Sequence, residues 1–267
     1  MQKTKDVSRL QHPIIKEALG LTGMENNPIE ICSMADIPSG TGLGSSSTFT
    51  TALLKALHGY KGDIIGMRQL AEEACEIEIN RLKGPIGKQD QYISAYGGII
   101  CMEIKQDGYV QVEPLNLSQE TLYNLEDNLI LFFTGYSHSA GDILSEQDKR
   151  SKNNDGDMIK NLDFVKKLGL DSKIALEKGD LGQFAELMNI HWQHKRRRSG
   201  GMSNPQIDEW YEYALKNGGL GGKLIGAGGG GFLMFYAENK IRLRNAMSKL
   251  GLEEVRFRFE REGAKLL

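Results

Sequence analysis

A stretch of glycine and serine, DIPSGTGLGSSS at residues 36–47, has the residue types that bind an anion. A strand before it and a helix after it would bring free backbone N–H groups and the positive end of a helix dipole to one point. Phosphate is the anion usually bound there, and serine hydroxyls can add hydrogen bonds or a Mg²⁺ ligand. The residues predicted to bind phosphate are Gly40, Gly42, Leu43, Gly44, Ser45, Ser46 and Ser47. The alternative is a plain strand-to-helix turn with serine caps.

This stretch matches neither of the two common nucleotide-binding motifs. No Lys-Ser or Lys-Thr pair ends it, as a Walker loop requires. A dinucleotide fingerprint needs a third glycine at an offset where this sequence has none.

A second stretch, GKQDQY at residues 87–92, places Asp90 between two glutamines. Phosphoryl transfer needs positioned charges, a metal ion and a group that takes the hydroxyl proton. Asp90 is the candidate for that group, and Glu78 on the preceding helix is a candidate metal ligand. The alternatives are that Asp90 is a cap or turn residue in a loop between helix and strand, and that Glu78 belongs to a solvated helix face.

The elements that must position these residues can be predicted from periodicity and turn signals. Alternating strands and helices indicate an α+β or α/β protein. Strands are expected at 28–38, 97–104, 108–115, 128–136, 221–237 and 253–260, the second and third as a hairpin, and helices at 12–23, 47–60, 63–82, within 139–198, at 204–218 and at 240–251. A change of composition near residues 116–127 predicts two domains, residues 1–122 and 123–267.

Composition excludes several classes of partner. The net charge of −2 gives no general field that would attract nucleic acid or an anionic membrane. The sequence has neither a signal peptide pattern nor an apolar run of membrane-spanning length, so a cytoplasmic location is expected. Three cysteines without CxxC spacing predict small buried thiols in a reducing compartment. The oligomeric state stays open.

Taken together, these motifs resemble the superfamily of galactokinase, homoserine kinase, mevalonate kinase and phosphomevalonate kinase (GHMP kinases). The resemblance rests on PSGTGLGSSS before a helix, an aspartate in a glycine-flanked segment, and the late GGKLIGAGGGGFLMFY. IGKQDQYISAYGG, LILFFTGYSHSAGDIL and VRFRFEREGAKLL narrow it to bacterial D-glycero-D-manno-heptose 7-phosphate kinases. The resemblance covers almost the whole chain.

This resemblance implies a two-domain α+β kinase with an N-terminal domain like a ribosomal-protein fold and a ferredoxin-like C-terminal domain. It implies ATP-dependent phosphorylation of the anomeric hydroxyl of a heptose 7-phosphate, for nucleotide-activated heptose and surface polysaccharide. The glycine-serine stretch would hold the phosphates of ATP, Ser46 and Glu78 would bind Mg²⁺, and Asp90 would orient or deprotonate the sugar hydroxyl. Gly228, Gly229 and Gly230 would line the substrate site, although glycines there could instead permit close packing.

A kinase of this branch must also recognise the phosphate that its sugar already has. The basic run HKRRR at residues 194–198 is the dense cationic cluster of the sequence. Lys195 or Arg196 is the candidate to hold that phosphate. The alternative is a solvated helix end whose charges complement the helix dipole.

Two departures from the family matter. Ahead of the helix at 12–23, members have further strands and a glycine-rich motif that contacts the sugar, so the N-terminal domain is expected to be incomplete here. At His138 many members have arginine, and a neutral histidine would weaken a phosphate contact. The alternatives are therefore another kinase of the superfamily, acting on fucose, galactose or mevalonate, or an inactive nucleotide-binding fragment.

Overall fold

Two compact units make up the chain, and neither is one continuous stretch. The computed structural model describes residues 2–136, 140–153, 155–198 and 201–267. Unit 1 consists of residues Met1–Ser39, Gly44–Gln111 and Glu260–Leu267, and unit 2 of Gly40–Leu43 and Val112–Phe259. The chain therefore changes unit between Gln111 and Val112, and each unit also includes a short distant segment. The predicted domain boundary at 122/123 stays a prediction.

Unit 1 is built mainly of helices. They are α1 (Pro13–Thr22), α2 (Ser45–Lys61), α3 (Met67–Cys75) and α4 (Gln89–Tyr96), with a six-residue π-helix, Glu76–Arg81, that continues α3. The predicted helices at 12–23 and 47–60 are confirmed. The one predicted at 63–82 begins only at Met67, so Ile64 lies ahead of the helix and is fully exposed.

A hairpin follows α4, as predicted. Strands β1 (Ile100–Ile104) and β2 (Val110–Pro114) form a two-stranded sheet. The turn between them contains Gly108 at φ 84, a left-handed conformation that glycine adopts without strain. The Asp107 side chain accepts a hydrogen bond from the N–H of Tyr109 at 2.9 Å and closes the turn.

The strand predicted at 28–38 is absent, and this prediction was wrong. The segment has no regular secondary structure in the described part of the chain, and Met34 within it is 95% exposed. Alternation of apolar residues indicates a strand only where a neighbouring strand pairs with it, and no strand of the two sheets lies there. Cys32, in the same segment, is exposed rather than buried, whereas Cys75 is buried as predicted.

The segment Glu260–Leu267 fastens the end of α4. The N–H of Gly98 donates to the carbonyl of Glu260 at 2.6 Å, and the N–H of Ala264 donates to the carbonyl of Ser94 at 2.9 Å. A side chain at Gly97 would collide with the backbone of Gly263, so two backbone segments touch directly here. Residues far apart in sequence therefore hold the helix that contains Asp90.

Unit 2 contains an antiparallel four-stranded sheet in the order β4-β5-β3-β6. The strands are β3 (Leu129–Phe133), β4 (Gly221–Leu224), β5 (Phe232–Tyr236) and β6 (Glu253–Val255). The predicted central strand at 128–136 and the glycine-broken strand at 221–237 are confirmed. The closing strand predicted at 253–260 is limited to β6, because beyond it the Phe259 N–H donates to the Glu126 carboxylate rather than to a neighbouring strand.

Within the residues described, unit 2 also contains six helices, of which α5, α8, α9 and α10 contact the sheet. They are α5 (Gln119–Asn128), α6 (Ala140–Lys152), α7 (Gly156–Glu177), α8 (Leu181–Lys195), α9 (Pro205–Lys216) and α10 (Lys240–Lys249). The predicted start of α9 is confirmed, because the Asn204 side chain accepts from the Ile207 N–H and Pro205 begins the helix. Trp192 of α8, Tyr211 of α9 and Phe235 of β5 belong to one buried core.

One glycine explains how closely α8 approaches β4. A Cβ at Gly221 would overlap the carbonyl of Ala185 on α8. The close packing of α8 on β4 therefore requires a residue without a side chain at Gly221. Within the described residues, no helix is long and apolar enough to cross a bilayer.

Candidate active site

In unit 1, the side chain of Asp90 contacts Gly44, a residue of the glycine-serine stretch. A Cβ at Gly44 would lie 3.2 Å from Cγ and 3.3 Å from Oδ2 of Asp90, so the carboxyl group packs against the glycine that precedes α2. Asp90 lies in the first turn of α4, not in a loop as predicted. The helix was mispredicted as a loop because it has only eight residues and lies between glycines, so its helical periodicity is weak in the sequence. The two chemically distinctive stretches are therefore adjacent.

The start of α2 is shaped to receive an anion. Gly44 has φ 67, and Gly40 and Gly42 are also left-handed at 77 and 82. No side chain in the described part of the chain caps this end of the helix, so its first amides are available to a ligand. Ser46 is exposed there, whereas Ser47 is buried.

Glu78 is buried, not part of a solvated helix face. Its side chain belongs to the π-helix and the residue is 5% exposed. Its Oε2 accepts a hydrogen bond from Nε2 of Gln91 at 2.8 Å. The Gly84 N–H donates to the Glu78 carbonyl at 2.9 Å and ends the helical segment. A π-helix at this position is typical of a functional site.

Negative charge is in excess around Asp90. Burial, followed by the nearby charge of Glu78, raises the pKa of the Asp90 carboxyl above its ordinary value. The buried Oε1 of Gln91 has no hydrogen-bond partner among the described residues. The Glu78 carboxylate and the spare amide oxygen of Gln91 are ligand types that suit a hard divalent cation such as Mg²⁺. The described residues contain no group of three or more His, Cys, Asp or Glu side chains that could hold a metal, so phosphates and water would complete its coordination.

Gln91 is a site residue that the sequence interpretation missed. It is fully buried and connects α4 to the π-helix through Glu78. Its position directly after Asp90 in GKQDQY was the available signal.

A separate set of contacts fixes α4 against α3. The Tyr92 hydroxyl donates to the Glu72 carboxylate. Lys88 donates to Glu72 at 3.1 Å and to the carbonyl of Gly108 at 2.9 Å. These bonds orient the first turn of α4, where Asp90 lies.

In unit 2, the segment Gly40–Leu43 packs on the late glycine cluster. A Cβ at Gly226 would lie 2.6 Å from the carbonyl oxygen of Gly42. A Cβ at Gly231 would collide with the carbonyl of Thr41. Two loops thus meet backbone to backbone, which only glycine permits.

The glycines predicted to line the substrate site also have close neighbours. A Cβ at Gly228 would lie 2.7 Å from Sδ of Met202, and the N–H of Gly229 donates to the carbonyl of Met202 at 3.0 Å. A Cβ at Gly230 would lie 2.7 Å from the carbonyl oxygen of Tyr136. Close packing thus accounts for these glycines, and their role toward a substrate stays a prediction. His138 lies outside the described residues.

Lys195 and Arg196 already have protein partners. Lys195 is buried, and its Nζ donates to the carbonyl of Leu224 at 3.2 Å and to that of Gly226. Arg196 forms an ion pair with Asp208 at 3.2 Å. Their predicted contact with a substrate phosphate stays a prediction, and Lys195 uses two of its three protons on protein carbonyls.

Comparison with known proteins identifies the family. Residues 11–98 match the N-terminal domain of GHMP kinases and residues 172–253 match their C-terminal domain. A D-glycero-alpha-D-manno-heptose 7-phosphate kinase from Campylobacter jejuni is 34% identical over 86% of this chain and 68% of its own length. The chain belongs to the GHMP kinase family. It is therefore a phosphotransferase with the predicted α+β fold class, and ATP is the phosphate donor of its family.

Other proteins are similar to this GHMP kinase in fold or in sequence. A heptose 1-phosphate kinase from Bacteroides thetaiotaomicron superposes with a TM-score of 0.71 at 28% identity, covering 96% of this chain and 75% of that structure. An L-fucokinase/L-fucose-1-P guanylyltransferase from Bacteroides fragilis is 26% identical over 83% of this chain. This chain covers 24% of that longer protein.

The contact between Gly44 and Asp90 can be tested with a matched pair of glycine substitutions. Gly44→Ala should cost about 1–2 kcal/mol of stability through its left-handed backbone. It should also lower turnover about tenfold or more, because the new methyl group displaces the Asp90 carboxyl. Gly62→Ala, at the other end of α2, has φ 79 and no neighbour within 4 Å of the new methyl group.

Both variants should therefore melt at similar temperatures, while only Gly44→Ala loses turnover with saturating substrates. Equal turnover in the two variants would show that the position of Asp90 does not depend on Gly44.

Proposed function

We propose that this GHMP kinase transfers the γ-phosphoryl group of ATP to the anomeric hydroxyl of a heptose 7-phosphate, giving the 1,7-bisphosphate. The observation that supports it most is the contact of Asp90 with Gly44, because it puts a proton acceptor beside the predicted phosphate-binding helix start. The similarity to the Campylobacter heptose 7-phosphate kinase supports the choice of substrate.

Each group has a defined task in the transfer. The free amides at the start of α2 and the hydroxyl of Ser46 bind the ATP phosphates. Asp90 accepts the proton of the sugar hydroxyl while that oxygen bonds to the γ-phosphorus. The bond from the γ-phosphorus to the bridging oxygen breaks, and ADP leaves. The raised pKa of Asp90 makes it a stronger base than an ordinary aspartate.

A magnesium ion would be held by Glu78 and Ser46 together with phosphate oxygens. When bound, it neutralises the charge that develops on the transferred group. Gln91 is expected to fix the orientation of the Glu78 carboxylate through its hydrogen bond.

Coupled ATP turnover on a panel of acceptors tests this proposal. The panel contains D-glycero-D-manno-heptose 7-phosphate, L-fucose, galactose and mevalonate, and phosphorus NMR identifies the product. We expect turnover on the heptose 7-phosphate with a new anomeric phosphate signal. A preference for fucose would instead support the second candidate, a fucokinase, which the Bacteroides fragilis relative favours. ATP binding without turnover on any acceptor would identify an inactive nucleotide-binding protein.

A further inference from the structure

Unit 2 contains a group of basic side chains on one helix and a neighbouring strand. His191, Lys195 and Arg198 are spaced four and three residues apart, so they share one face at the end of α8. The N–H of Arg198 donates to the carbonyl of Lys195 at 3.0 Å, so the helical turn continues to Arg198. Helix α8 packs on β4, which contains Lys223. We call these four residues the basic cluster.

The members of the basic cluster repel one another. Burial, followed by the charges of Lys223 and Arg198, lowers the pKa of Lys195 to about 7. Burial and then Arg198 lower the pKa of Lys223 to about 8. Among the described residues, no carboxylate contributes to either shift. Arg196, by contrast, has Asp208 as its partner.

Hydrogen-bond donors in the basic cluster are also left over. Arg198 uses Nε to donate to Oδ1 of Asn161 at 2.8 Å, but its buried Nη2 has no partner within the described chain. Lys195 uses two of its three protons on the carbonyls of Leu224 and Gly226. His191, Arg198 and Lys223 are each partly exposed, whereas Lys195 is buried.

We infer that the basic cluster binds a phosphate monoester dianion, and that this is the phosphate which the sugar substrate already has. A guanidinium with spare donors next to an ammonium matches the charge and geometry of a phosphate group. Burying a dianion requires paired cations, and a bound dianion would in turn favour the charged forms of Lys195 and Lys223. The sugar phosphate is the better source than ATP, because the start of α2 already receives the ATP phosphates. This assignment rests on the proposed function and replaces Arg196 with Arg198 and Lys223 as the main phosphate ligands.

Calorimetric titration with inorganic phosphate, at constant ionic strength with chloride as the reference anion, tests the site without catalysis. We expect Arg198→Met and Lys223→Met each to weaken phosphate binding about tenfold or more, as expected for a hydrogen bond to a charged group. The control is Lys249→Met, on the exposed end of α10, which should bind like the original protein. Equal phosphate affinity in all four proteins would overturn the inference.

Lys223→Met gives a second, independent readout. Because its ammonium is repelled by its neighbours, its loss should leave the melting temperature without phosphate unchanged or higher, while the increase caused by phosphate becomes smaller. The inference would be overturned if Lys223→Met had a lower melting temperature without phosphate and phosphate still raised that temperature as much as in the original protein. Lys223 would then be purely structural.

Steady-state kinetics separates the two sources of phosphate. The same two variants should raise KM for heptose 7-phosphate at least tenfold and leave KM for ATP unchanged. A raised KM for ATP alone would overturn the assignment to the sugar phosphate. If no acceptor is turned over but phosphate binding still depends on Arg198 and Lys223, the proposed function fails and the anion site stands.

Discussion

Asp90→Asn is expected to reduce turnover by about 100-fold or more and to leave the fold intact, because asparagine cannot take the hydroxyl proton. A carboxyl group whose pKa rises on folding lowers stability at every pH above its unfolded pKa. The neutral asparagine should therefore leave the melting temperature at neutral pH unchanged or raise it. The measurements are kcat with saturating ATP and sugar phosphate, and thermal unfolding of both proteins.

The pH profile gives a further check on Asp90. As a base it must be ionised, so activity should fall as the pH drops through its raised pKa, above the ordinary value of 3.8. Asp107→Asn, in the exposed hairpin turn, is the matched control and should change neither turnover nor the acid limb. A large drop in the melting temperature of Asp90→Asn would identify Asp90 as a structural residue.

Gly226→Ala is expected to weaken the binding of ATP strongly. The new methyl group would lie 2.6 Å from the carbonyl oxygen of Gly42. The three atoms nearest to it all belong to the backbone of Gly42, which cannot rotate away as a side chain could. Overpacking of this kind costs about 1–3 kcal/mol, in addition to about 1–2 kcal/mol for the left-handed backbone. Because the segment Gly40–Leu43 must then shift, the affinity for ATP should fall at least about tenfold.

The control for this change is Gly251→Ala. Gly251 has φ 77, close to the value of 75 at Gly226, but no atom lies within 4 Å of its Cβ position. Calorimetric titration with ATP and Mg²⁺ should show normal affinity for Gly251→Ala. Equal affinities in both variants would mean that the packing of the two loops has no part in nucleotide binding.

Features with a local cause could be predicted from the sequence. The start of α9 follows from the Asn204 cap and Pro205, and the hairpin turn from Asp107 and Gly108. The start of α2 directly after left-handed Gly44 is similarly encoded in adjacent glycines and serines, and its binding of an anion stays a prediction. In each case the residues that determine the structure are neighbours along the chain.

Features that depend on distant residues could not be predicted in this way. A strand at 28–38 would need a partner strand, and the buried Glu78 carboxylate accepts its hydrogen bond from Gln91 on another helix. The basic cluster combines the end of α8 with Lys223 on a strand, and only the spacing of His191, Lys195 and Arg198 hinted at a shared face. Charge repulsion between such groups becomes visible only when the fold brings them together.

The route of the chain between the two units has a consequence for synthesis on the ribosome. Residues 44–111 of unit 1 are made early, but the segment Glu260–Leu267 that fastens the end of α4 is translated after all of unit 2. While the sheet of unit 2 is being translated, the helices of unit 1 therefore still lack their contacts with residues 260–267. The group of helices that contains Asp90 is thus translated before most of unit 2, but its contacts with residues 260–267 can form only after those residues have left the ribosome.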